Sequence, residues 1–139
     1  LCAALGQACI LARDLSSMRE VTALRDHFWA MLKERFGNGV VLNGHPEHRL
    51  PNTLSVSFAG RVGAEILAAV PGIAASTGSA CHSGRIELSP VLEAMGVAPE
   101  VGMGAIRFSL GRGTSRDDVD AVISGLKKAL TPTGHESRL

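Results

Sequence analysis

Cys81 stands in Ser76-Thr77-Gly78-Ser79-Ala80-Cys81-His82-Ser83-Gly84, a run of small, polar and flexible residues. A lone cysteine is more often a small buried hydrophobe, and then it usually has bulky apolar neighbours. This one reads as a thiol presented on a mobile loop, able to reach a reacting atom and leave again. A second chemical group lies in Ile106-Arg107-Phe108-Ser109-Leu110. Apolar residues at 106, 108 and 110 alternate with Arg107 and Ser109, so the guanidinium leaves the strand on the face opposite the core. A guanidinium can grip a carboxylate through two parallel hydrogen bonds. A solvated arginine on a strand's polar face fits the same pattern, and the residues alone leave both readings open.

Several thiol chemistries fail on spacing. There is no Cys-x-x-Cys pair, which removes a thioredoxin-like couple and a zinc knuckle. Loops of the Cys-x5-Arg kind need arginine where Glu87 stands. The Gly-x-Ser-x-Gly elbow is absent, because Gly78 adjoins Ser79. His82 is the sequence neighbour of the thiol, and adjacent side chains usually diverge, so it is a weak base for a Cys–His dyad. His27, His45, His48, His82 and His135 show no metal-ligand spacing.

The elements that must position these groups follow from patterning. The chain has 139 residues, enough for one domain with a real core. Net charge is +1 with no basic run, which gives no support for nucleic-acid binding. Three cysteines, at 2, 9 and 81, do not make a disulfide framework, and a reducing cytoplasmic location is expected. No apolar run approaches a membrane span. Residues 1–12 imitate a signal-peptide core but lack an initiating Met and a basic flank, so they read as a helix, and the chain as a piece of a longer one.

That first helix covers 2–14, with core packing expected for Cys2 and Cys9. Ser17 followed by Glu20 predicts a capping box. Met18, Val21, Leu24, Phe28, Met31 and Leu32 then share one helical face until Gly37-Asn38-Gly39 breaks the helix. Val40–Leu42 reads as a short strand, and Asn43-Gly44-His45-Pro46 as a turn with His48 exposed. Leu54, Val56 and Phe58 alternate with serines as a half-buried strand. A helix over 64–70 ends at Pro71-Gly72, and 73–75 is a short strand entering the cysteine loop. Ser89-Pro90 opens a helix closed by Gly96, and Pro99 opens another. Thr114 with Asp117 predicts the cap of a last helix. The tail 131–139 reads as disordered. The fold class is α+β, a small sheet covered by helices on one face. Arg112 reads equally as an anchor for the loop or the last helix and as a solvated side chain.

Residues 76–84, taken with Ile106-Arg107-Phe108-Ser109-Leu110-Gly111-Arg112, resemble the C-terminal small domain of the cysteine desulfurase and selenocysteine lyase family, which are class V, fold-type I pyridoxal-phosphate enzymes. Leu24-Arg25-Asp26 resembles the family's helix after the domain hinge. Leu42-Asn43-Gly44-His45, Leu50-Pro51-Asn52-Thr53, Ser89-Pro90-Val91-Leu92 and Ala94-Met95-Gly96 resemble further blocks. The resemblance covers 1–130, with 1–15 as the end of a helix shared with a large domain.

The resemblance implies that Cys81 attacks the sulfur of L-cysteine, releasing L-alanine and keeping a persulfide for an acceptor protein. It implies that Arg107 grips the substrate carboxylate. The loop must then travel, and Gly78 and Gly84 suit its hinge. His82 has no implied role beyond a local influence on the thiol. The family's Schiff-base lysine, in a His-Lys pair of the large domain, is missing: the chain's lysines are Lys33, Lys127 and Lys128. No pyridoxal phosphate is therefore expected on this chain alone, and the apolar face that meets the large domain should be bare on 1–15. The family is usually homodimeric. Alternatives are a selenocysteine lyase and a cofactor-free persulfide relay or binding module. Other class V enzymes, transaminases and kynureninase-like hydrolases, do not need the loop cysteine.

Overall fold

The computed structural model describes residues 1–77 and 88–131. Gly78, Cys81, His82 and Gly84 lie outside the described residues, as does the tail beyond Thr131. The elements in order are α1 (Cys2–Ala12), α2 (Ser16–Phe36), a 3-10 turn (Gly37–Gly39), β1 (Val40–Leu42), β2 (Thr53–Phe58), α3 (Gly63–Ala69), α4 (Pro90–Ala94), α5 (Pro99–Gly102), β3 (Ala105–Ser109) and α6 (Arg116–Leu130). The strands form one antiparallel sheet in the order β1-β2-β3. The class is α+β, as expected.

Register decides which residues share a face. Leu42 opposes Val56, which opposes Ile106, and Leu54 opposes Phe108. Directly opposed residues point to the same side, so these apolar groups make one continuous core face. Leu54, Val56 and Ile106 are completely buried. α2 lays Val21, Phe28 and Leu32 on this face, and α6 adds Val119, Ile123 and Leu126. Phe28 meets Phe108 edge-on at 5.0 Å, and Phe36 meets Phe58 at 5.4 Å. The other face carries Ser55, Ser57, Ala105 and Arg107.

α2 stops where the pattern predicts, because Gly37 takes a φ of 54° that β-carbon-bearing residues avoid. At the head of β3, the Gly104 carbonyl accepts the Phe58 N–H at 3.0 Å. A Cβ there would overlap the Phe58 carbonyl. Only glycine lets β3 start this close to β2.

Arg25 is 6% exposed despite its charge. Its Nη1 donates to the Leu50 carbonyl at 2.6 Å, and Nε and Nη2 both donate to Asp26 Oδ1. The guanidinium thereby ties the 43–52 connection to α2 just before β2 begins. Burial and the Arg25 charge push the Arg49 guanidinium below its ordinary value.

Four local expectations need correction. The Ser17–Glu20 capping box does not form: α2 starts at Ser16, and Asp14 Oδ1 accepts the Ser16 N–H at 2.9 Å. Among the described residues, Ser17 Oγ is buried without a partner. The cap of α6 is Ser115 with Asp118, one residue later than Thr114 with Asp117. Thr114 Oγ1 instead accepts the Gly111 N–H at 2.8 Å and closes the preceding turn. Residues 73–75 form no strand, and only Ser76 bridges to the sheet. Cys2 and Cys9 are exposed rather than packed, because α1 buries none of its residues. Its apolar side chains Leu5, Ile10 and Leu11 are bare, as anticipated for 1–15.

Candidate active site

The polar face of the sheet is built around Arg107. In an antiparallel pair the non-hydrogen-bonded partners lie closest, with Cα atoms about 4.5 Å apart. Ser55 and Arg107 are such a pair: β3 bonds β2 through its even-numbered residues, as Leu110 N–H to Asn52 O at 2.8 Å shows. The backbone groups of Arg107 therefore point away from β2. They meet Ser76, with Arg107 N–H to Ser76 O at 2.7 Å and Ser76 N–H to Arg107 O at 3.2 Å. Ser55, Arg107 and Ser76 thus sit abreast on three adjoining stretches of chain.

A cleft of about 180 Å³ opens on this face. Arg107, Ser55, Thr77 and Ser89 give it polar walls, and Val91 and Leu92 of α4 give it an apolar side. The Arg107 side chain is exposed, as the alternation predicts. Among the described residues its guanidinium has no carboxylate partner; Arg25 with Asp26 is the ion pair formed there. A cation, hydroxyls and a small apolar wall suit an anionic group carried by a small aliphatic molecule.

Behind Ser55 lies a hydrogen-bonded cluster that sequence patterning did not reveal. Asn43 is buried, and its Nδ2 donates to Ser57 Oγ at 3.0 Å and Ser55 Oγ at 3.3 Å. Ser57 Oγ donates back to Asn43 Oδ1 at 3.1 Å. The turn reading of Asn43-Gly44-His45 also holds, since Gly44 has a φ of 86° and His45 Nδ1 accepts from the N–H groups of Glu47 and His48. The available signal was an asparagine closing an apolar strand and serines at period two. It becomes legible only once β1 and β2 are in register.

The remaining sequence-predicted residues divide clearly. Cys81, His82, Gly78 and Gly84 lie outside the described residues, while Thr77, at the start of their segment, lines the Arg107 cleft. Among the described residues, Arg112 Nη2 donates to the carbonyls of Leu11 and Asp14, at 3.2 and 3.0 Å, and tethers the end of α1. A larger cleft of about 420 Å³ beside α2 includes Arg112, Ser17 and Glu20, but none of the residues singled out for chemistry.

No family model matches the chain. It is 38% identical over 128 residues to the cysteine desulfurase IscS of Colwellia psychrerythraea, covering 91% of this chain and 31% of that protein. It is likewise 38% identical over 130 residues to the cysteine desulfurase IscS of Serratia proteamaculans, covering 92% and 32%. A solved NifS-like protein superposes with a TM-score of 0.72 at 29% identity, covering 87% of this chain and 30% of that one. The chain spans about a third of the length of these relatives. Along nearly its whole length the chain is similar in sequence to these two cysteine desulfurases and in backbone to the NifS-like protein.

Proposed function

We propose that this chain is the C-terminal part of a longer cysteine desulfurase, in which Cys81 takes sulfur from L-cysteine and Arg107 holds the substrate carboxylate. One observation carries the reading: two backbone hydrogen bonds pin Ser76 against Arg107. Five residue steps separate Ser76 from Cys81, no more than about 18 Å of extended chain. A thiol on that tether is within range of a substrate gripped beside Ser55 and Arg107. The resemblance of residues 76–84 and 106–112 to the family motif supports the same roles.

The family implies pyridoxal phosphate, and the residues of this chain do not fit that group by themselves. Lys33 Nζ approaches Gly37 O and the Trp29 ring, and Lys127 and Lys128 stand in the last turn of α6. None of the three lines the Arg107 cleft. The cofactor's lysine and phosphate contacts are assigned to the large domain of the longer protein. In this layout 1–130 is the small domain, and the bare apolar residues of α1 pack against the large one.

The roles left to this chain are binding and sulfur capture. Arg107 fixes the carboxylate and so the distance from the substrate sulfur to the thiolate. The Cys81 thiolate bonds to that sulfur, the carbon–sulfur bond breaks, and its electron pair stays with the carbon, which is protonated and leaves as L-alanine. The persulfide on Cys81 then passes to an acceptor protein's thiol, with Gly78 and Gly84 as hinges and His82 beside the thiol. Homodimeric assembly and a cytoplasmic location belong to the same reading. The test is to treat the full-length protein with L-cysteine, omit reductant and map the sulfur by peptide mass spectrometry. One added sulfur atom on the Cys81 peptide is expected. Sulfur on Cys2 or Cys9 instead, with none on Cys81, overturns the assignment.

A further inference from the structure

The hydroxyl of Ser55 is not accounted for by the roles given to Cys81 and Arg107. It faces the Arg107 cleft from the directly opposed position on β2. Its oxygen accepts a hydrogen bond from Asn43 Nδ2 at 3.3 Å. A serine hydroxyl has one proton to donate, and among the described residues that proton has no acceptor. The amide that feeds Ser55 is itself held. Ser57 is fully buried and bonds both ends of the Asn43 side chain, at 3.0 and 3.1 Å, and the backbone N–H of Asn43 donates to the Ser55 carbonyl at 2.9 Å. The strand, the amide and the second serine together point one free O–H into a cleft whose other polar wall is a cation.

We infer that Ser55 is a second carboxylate donor of this site, held in place by Asn43 and Ser57 acting as positioning residues. The inference rests on the reading of Arg107 as the carboxylate grip. Arg107 supplies charge and a planar fork; Ser55 supplies a hydrogen bond from the neighbouring strand, so a carboxylate is fixed in orientation as well as in place. A donor already accepting from an amide is polarised, which strengthens the bond it gives.

The experiment uses the full-length protein and the variants Ser55→Ala, Ser55→Thr and Arg107→Ala. Kinetics with L-cysteine are paired with isothermal titration of L-alanine and of ethylamine, which is the same amine without the carboxylate. A hydrogen bond to a charged group supports a loss of about tenfold in affinity. Ser55→Ala should raise KM and weaken L-alanine binding by about that factor, leave kcat and ethylamine binding within about twofold, and be restored by Ser55→Thr. Unchanged KM and L-alanine affinity in Ser55→Ala, with Arg107→Ala impaired, overturns the role of Ser55 alone. No effect from either change removes the carboxylate reading of Arg107 as well. Equal weakening of L-alanine and ethylamine binding by Ser55→Ala shows a structural role and also overturns the inference.

Discussion

Arg107 and Ser76 exchange two backbone hydrogen bonds, at 2.7 and 3.2 Å, and this bridge joins the arginine of the cleft to the stretch of chain that leads into the segment bearing Cys81. Under the proposed function, the bridge fixes the point from which the Cys81 segment starts relative to Arg107.

Replacing Cys81 should abolish sulfur release without disturbing the fold. Cys81→Ala in the full-length protein is expected to reduce sulfide production from L-cysteine to background, measured by a sulfide assay with reductant present. Selenide release from selenocysteine should survive the change better, because selenium leaves more readily. Undiminished sulfide release would remove Cys81 as the acceptor of sulfur.

Arg107→Ala should raise KM for L-cysteine about 100-fold, the loss expected when a two-bond ionic contact to a carboxylate disappears. Arg107→Lys should fall between, since an ammonium keeps the charge and loses the fork. Steady-state kinetics over a wide substrate range checks both, and an unchanged KM in Arg107→Ala contradicts the grip.

The N-terminus of α6 should make stability depend on acid. Ser115 donates its N–H and its hydroxyl to Asp118 Oδ2 at 2.8 and 2.7 Å, which holds the Asp118 carboxyl below its ordinary value. Asp14 is lowered in the same way by Ser16. A carboxyl depressed in the folded state stabilises the fold above the unfolded value, about 3.9, and loses that contribution as pH falls through the folded value. Urea titrations should show Asp118→Asn less stable than the unaltered chain at pH 6 and the gap closing as pH falls below the unfolded carboxyl value and through the lower folded one. Ser115→Ala should cost about 1 kcal/mol at neutral pH. A gap that stays constant with pH contradicts the linkage.

Gly104→Ala is expected to destabilise the protein by about 3 kcal/mol, because the new methyl must push β3 away from the Phe58 carbonyl. Gly113→Ala meets open space and serves as the control. Thermal melts of the two variants check the contrast; similar melting temperatures would show that β3 can shift without loss.

Much of this molecule is legible in the order of its residues, for a local reason. The apolar spacing of Val21, Phe28 and Leu32, the break at Gly37 and the alternation around Val56 and Ile106 are set by helix and strand periods, which neighbours in sequence specify. The same alternation already turns Arg107 away from the core. Cap positions were missed by one residue at Thr114, because hydroxyls at 114 and 115 compete and the turn at Gly111 takes the first. At Ser17 the competitor was Asp14. Tertiary structure alone decided the rest. Putting Asn43, Ser55 and Ser57 in one cluster needs the β1–β2 register, setting Ser55 beside Arg107 needs the β2–β3 register, and burying Arg25 needs Leu50 carried back onto α2. Those partners are 12 to 52 residues apart in the chain. Local preference cannot specify such pairings; they arise when burial of the common core aligns the strands.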